Sequence, residues 1–96
     1  MKKEQYFIVR TDRAGVFFGQ IESKTATSIV MRNVRKLHYW TGAGAVEQIS
    51  VDGVSSPSSC RFTVSVDSQE IANWIQILPC TEKAVNSINS VKEWKA

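Results

Sequence analysis

What this chain has little of narrows its chemistry first: one histidine, two cysteines and two prolines in 96 residues. With His38 the sole imidazole, any serine or cysteine nucleophile would have to share it, and no Gly-x-Ser-x-Gly turn is present to raise one. His38 alternates with Leu37 and Tyr39 and reads as a structural or surface residue. Neither a Gly-x-Gly-x-x-Gly fingerprint nor a Walker loop occurs; Gly42-Ala43-Gly44 is a fragment of such a pattern. Without Cys-x-x-Cys, a zinc site would have to be assembled from Cys60, Cys80, His38 and a distant carboxylate. Asp12, Asp52 and Asp67 fall in expected turns, where Asp bonds nearby amides. A two-carboxylate hydrolase stays open, because the required separation of roughly 5 to 10 Å is not a property of sequence. The balance of residue types is against an enzyme, and no cofactor is implied.

Long apolar runs are missing too. After the basic opening Met1-Lys2-Lys3-Glu4-Gln5, the apolar stretch Tyr6 to Val9 is broken by Arg10, short of the roughly 7 to 15 residues of a secretory core. No other segment approaches the ~20 apolar residues of a membrane span. The chain is expected to stay in the cytoplasm, with Cys60 and Cys80 as reduced thiols and no membrane partner. The net charge of +3 is mild, and Lys and Arg are scattered among Asp and Glu, so duplex DNA is not an implied partner. An apolar share of 43 % and a charged share of 22 % are ordinary for a globular protein. At this length one core fits, so residues 1–96 form a single domain.

The periodicities predict an α+β fold: a small bent antiparallel sheet with one or two short helices. Tyr6–Arg10 and Val16–Ser23, rich in aromatic and β-branched residues, flank a Gly-containing turn, and Ser28–Met31 extends them to a meander. Arg32–Trp40 reads as a strand bent near Asn33. Gly42-Ala43-Gly44 breaks it, and Ala45, Val46, Ile49 and Ser50 have the spacing of one helical face, ended by Asp52-Gly53. Ser55–Ser59 reads as an exposed polar loop. Cys60–Val66 alternates as a half-buried strand with Phe62, Val64 and Val66 inward, and Trp74–Leu78 reads as another strand before Pro79. Thr81-Glu82 starts a helix whose apolar face is Ala84, Val85, Ile88 and Val91, with Trp94 placed to fasten the tail.

Two segments carry the functional signal. Thr11–Gly19 sets Arg13 and the pair Phe17-Phe18 around two glycines, and Arg35–Gly44 sets basic residues, Tyr39 and Trp40 directly before Gly42-Ala43-Gly44. Small residues at a helix start let a phosphate approach backbone amides; Arg35 or Lys36 could add charge-assisted bonds, and Tyr39 or Trp40 could stack on a base. The same aromatics are also what a short chain needs for its core. Anionic-ligand binding and a structural or interaction module both remain open on these residues.

Four blocks in order, Phe7–Gly19, Val34–Ala43, Cys60–Val64 and Ile75–Ala84 with Val91 and Trp94, resemble the first type of phage Thoeris anti-defence protein nearly end to end. The resemblance implies a phage-encoded sponge in the cytoplasm of the infected bacterial host. Such a protein holds a cyclic ADP-ribose-type signal (glycocyclic ADP-ribose, in some members cyclic di- or trinucleotides) without degrading it, and it is oligomeric, with hexamers. The ligand-binding residues expected from the matched blocks and their chemistry are Arg13, Phe18, Arg35, Trp40, Gly42, Ala43, Gly44 and Arg61. Where the family has a Gly-Ala-Ala-Ser-like step, this chain has Gly42-Ala43-Gly44-Ala45, losing a hydroxyl able to contact phosphate or ribose.

Overall fold

The structure, a computed structural model, describes residues 5–95; the basic opening at residues 1–4, weighed above as a signal-peptide start, lies outside the described residues. Strand β1 (Phe7–Thr11) turns into β2 (Val16–Lys24) through a loop closed by Thr11, whose amide and hydroxyl both donate to the Gly15 carbonyl at 3.0 and 2.8 Å. Strand β3 (Ser28–Tyr39) follows. The short run predicted at Ser28–Met31 and the strand predicted from Arg32 are one element of 12 residues, bent where expected: Asn33 sits at φ 50° and donates from Nδ2 to Gln20 Oε1 at 2.5 Å. The bend demands a glycine opposite. A Cβ on Gly19 would lie 2.9 Å from the Arg32 carbonyl oxygen and 2.9 Å from Val34 Cα, so only hydrogen lets β2 pass the kink.

Because β3 is long and bent, two strands share its outer edge. β5 (Val66–Ala72) pairs with its first half and β4 (Arg61–Phe62) with its second. The single strand expected over Cys60–Val66 is therefore corrected. Phe62 is fully buried, but Val64 and Val66 are exposed, because the chain leaves the ladder to cross the bend of β3. Residue 63 is held there by other bonds: Thr63 N donates to Lys36 O at 3.0 Å, and Lys36 N donates to Thr63 Oγ1 at 2.8 Å. The last strand, β6 (Trp74–Pro79), pairs with β1, giving the order β4-β3-β2-β1-β6 with β5 also paired to β3.

β5 and β6 lie on opposite margins, yet only Asn73 separates them. The sheet must curl to allow this, and Asn73, at φ 59°, ties the corner by donating to Thr27 O at 2.6 Å and accepting from Asp12 N at 2.9 Å. Curling gives the sheet two cores. Val9, Phe17, Ile29, Met31, Val34 and Ile71 fill one, whereas Ile8, Phe18, Leu37 and Phe62 form the other with residues of helix α1 (Val46–Asp52) and helix α2 (Glu82–Asn89). Each large residue buried this way contributes roughly 1.5–3 kcal/mol.

The helix ends follow their sequence signals. Thr81 Oγ1 accepts from Ala84 N at 3.1 Å, capping α2, and Gly53 at φ 78° ends α1. The segment expected as a polar loop contains one 3-10 turn, Pro57–Ser59. Among the described residues no helix is long and apolar enough to cross a membrane.

Candidate functional site: a cleft over a buried arginine

Arg35 stands just beyond the bend of β3, opposite Phe18, and is 6 % exposed. Its side chain donates from Nε to Thr63 O at 3.0 Å, from Nη1 to Ile88 O at 3.1 Å and from Nη2 to Phe62 O at 3.3 Å. The Phe62 ring lies 5.5 Å from the guanidinium carbon. One cation thus fastens β3, the crossing segment and the last turn of α2, whose carbonyls form the negative end of the helix. Burial pushes the Arg35 pKa down, and the Glu93 carboxylate partly offsets this. A guanidinium nonetheless stays charged.

Among the described residues no carboxylate lies within ion-pair distance of that charge: the ion pairs there, Arg13–Asp12, Arg32–Glu22 and Lys83–Asp52, are elsewhere and exposed. Three of its five N–H groups are spent on carbonyls, leaving two. Arg35 also lines a cleft of about 390 Å³, near the lower end of the ~300–1,000 Å³ common for small-molecule sites. One wall carries the half-buried Tyr6 ring, stacked on the fully buried Phe18 at 5.0 Å with 17° between planes. Asn33, Ser65, Asn89 and Glu93 supply the polar rim. Chemically the cleft offers a fixed cation, an aromatic wall, two amides and a carboxylate.

The residues expected from sequence separate into groups. Arg35 and Phe18 line this cleft together. Gly42 borders a different one, about 430 Å³, with Asp52, Ser55, Lys83 and Ser87. There Gly42 O accepts from Ser55 Oγ at 3.2 Å, and the Gly44 amide is taken by Gln48 Oε1 at 2.8 Å. Ala43 and Trp40 are half-buried against the helix-side core. Arg61 is exposed, its guanidinium 5.7 Å from the centre of the Trp94 ring. Arg13 projects into solvent from the β1–β2 turn beside Asp12 at 3.7 Å.

Sequence reasoning missed Tyr6, Asn33, Asn89 and Glu93 as neighbours of Arg35. They come from a strand entrance, a kink, a helix end and the segment after α2, and no spacing links them. Among the described residues no three His, Cys, Asp or Glu side chains gather to hold a metal. Cys60 and Cys80 are free and buried, and burial raises the Cys80 pKa to about 12, so its thiol is no nucleophile near neutral pH.

Fold and cleft together define a small α+β domain with a curled antiparallel sheet and a concave, cation-floored surface. The chain belongs to the family DUF6948, described as a domain of unknown function, whose family model matches residues 4–88. No curated protein and no solved structure matches the chain.

Proposed function

We propose that the protein is a phage anti-defence sponge that captures cyclic ADP-ribose-type signals, glycocyclic ADP-ribose among them, in the cytoplasm of the infected host and releases them unchanged. The observation that carries this reading is the buried guanidinium of Arg35, in no ion pair among the described residues, lining one cleft with Tyr6 and Phe18. A guanidinium with two donors unspent among the described residues suits a phosphate, and the half-buried Tyr6 ring suits an adenine. The resemblance to Thoeris anti-defence proteins points to the same ligand class, and extends it to cyclic di- and trinucleotides.

A sponge effective against a nanomolar signal needs a Kd near or below that concentration, roughly −12 kcal/mol. An open cleft on one small domain buries too little of a nucleotide for such affinity, so a neighbouring subunit closes it in the proposed hexamer. No bond of the ligand is broken. The test is to incubate the chain with cyclic ADP-ribose-type signals, heat-denature it and analyse what is released. Intact ligand supports a sponge, and degradation products identify a hydrolase instead.

A second reading has its own observation. Tyr39, Val64, Val66 and Trp94 are all exposed along the β4–β5 side, which suits a module that docks on a host defence enzyme and inhibits it directly. If no cyclic nucleotide binds in a calorimetric screen, that reading takes precedence.

A further inference from the structure

Resting on the cleft as a nucleotide site, we infer that Glu93 is its specificity-determining residue, a carboxylate that admits a phosphate only when a ribose hydroxyl accompanies it. Glu93 follows α2, in the segment that returns to the sheet: residue 93 bridges in parallel to Phe62, and the Trp94 amide donates to Phe62 O at 2.8 Å. This return sets the carboxylate on the rim of the cleft that Arg35 floors. One carboxylate oxygen, Oε2, accepts from the Ser65 amide at 3.1 Å, which fixes the group's position. The other makes no hydrogen bond among the described residues.

Glu93 and Arg35 line the same cleft without meeting as an ion pair. A ligand between them must therefore satisfy both signs. A bare anion gains from the guanidinium but faces the carboxylate across the same small cleft, where like charges repel. A ribosyl phosphate brings hydroxyl donors next to its anion, and a carboxylate accepting from a ribose hydroxyl is a recurrent way for proteins to hold that sugar. Glu93 thus penalises inorganic phosphates and rewards nucleotides, which a protein working in a phosphate-rich cytoplasm requires.

The experiment is calorimetric titration of the whole chain with four probes: cyclic ADP-ribose, ADP, 2′,3′-dideoxy-ADP and inorganic pyrophosphate. The wild-type protein is expected to prefer ADP over its dideoxy analogue by about tenfold or more, the size of a charge-assisted hydrogen bond. Glu93→Ala should bring that ratio close to one and strengthen pyrophosphate binding several-fold. Glu93→Gln can keep the Ser65 bond and so preserves the segment's path; it should strengthen pyrophosphate binding while retaining part of the hydroxyl preference. It carries the test if the alanine variant melts early. A wild-type protein that binds ADP but ignores its hydroxyls, or a Glu93→Gln variant with unchanged pyrophosphate affinity, overturns the role of Glu93 and leaves the nucleotide site standing. A wild-type protein that binds none of the four probes removes the site and this role together.

Discussion

The ring of His38 lies flat against that of Trp94, with centroids 4.9 Å apart and 11° between planes. Arg61 contributes a cation to the same indole. These contacts, with the Phe62–Trp94 backbone bond, hold the segment that carries Glu93.

Trp94→Ala removes a stacked pair and a cation–π contact from a partly exposed site, an expected loss of about 1–2 kcal/mol in urea unfolding. Because Glu93 is its neighbour, the same variant should also weaken nucleotide binding. An unchanged affinity would mean that the segment keeps its path without the indole.

Arg35→Lys keeps the charge but cannot reproduce three bonds from one planar fork. It should cost about 2 kcal/mol by leaving buried carbonyls poorly satisfied. Arg35→Ala should cost more, and thermal melts of the two variants check the order. Ligand affinity is best compared in the lysine variant, where folding is retained.

The kink in β3 predicts opposite responses at two facing positions. Asn33→Gly should be nearly neutral, since glycine accepts φ 50° freely, whereas Asn33→Val should cost about 1–2 kcal/mol. Gly19→Ala forces a methyl against backbone and should cost about 1–3 kcal/mol. Denaturant midpoints of the three variants are the measurement.

Cys80 gives a pH dependence. In the unfolded chain its thiol ionises from the ordinary value of 9.0, and in the folded protein only from about 12, so the unfolded state sheds the proton first. The associated stability is complete below pH 9.0 and is lost as pH climbs toward about 12. Urea midpoints of wild type and Cys80→Ala across that window should converge as pH rises. Iodoacetamide at about pH 8 should modify Cys80 only after denaturation.

Much of the fold could be read before any coordinates, because local chemistry dictated it. The aromatic and β-branched runs of β1 and β2, the bend near Asn33, the Thr81 cap and the Gly53 stop each act within a few residues. β5 escaped because Asp67, Ser68, Gln69 and Glu70 carry no apolar alternation; among its residues Ile71 alone is buried, as suits an edge. The cleft was legible only at Arg35 and Phe18. Its remaining groups converge through the pairing of β1 with β2, the crossing of the bend of β3 and the return of the segment after α2, which bring together residues far apart in the chain. Arg35 itself shows the limit: a basic residue within an aromatic run suggested a ligand contact, but nothing nearby in sequence announces the three carbonyls that claim most of its donors.

The single residue joining β5 to β6 has a consequence for how the molecule is made. Since β6 completes the sheet by pairing with β1, an emerging chain cannot seal the edge of its first hairpin until nearly the whole domain has left the ribosome. Closure therefore waits on synthesis of the last strand, and folding should proceed on the slow, millisecond-to-second scale of proteins dominated by distant pairings. During that interval the bare flank of β1 is the part of the nascent protein most in need of protection from other chains.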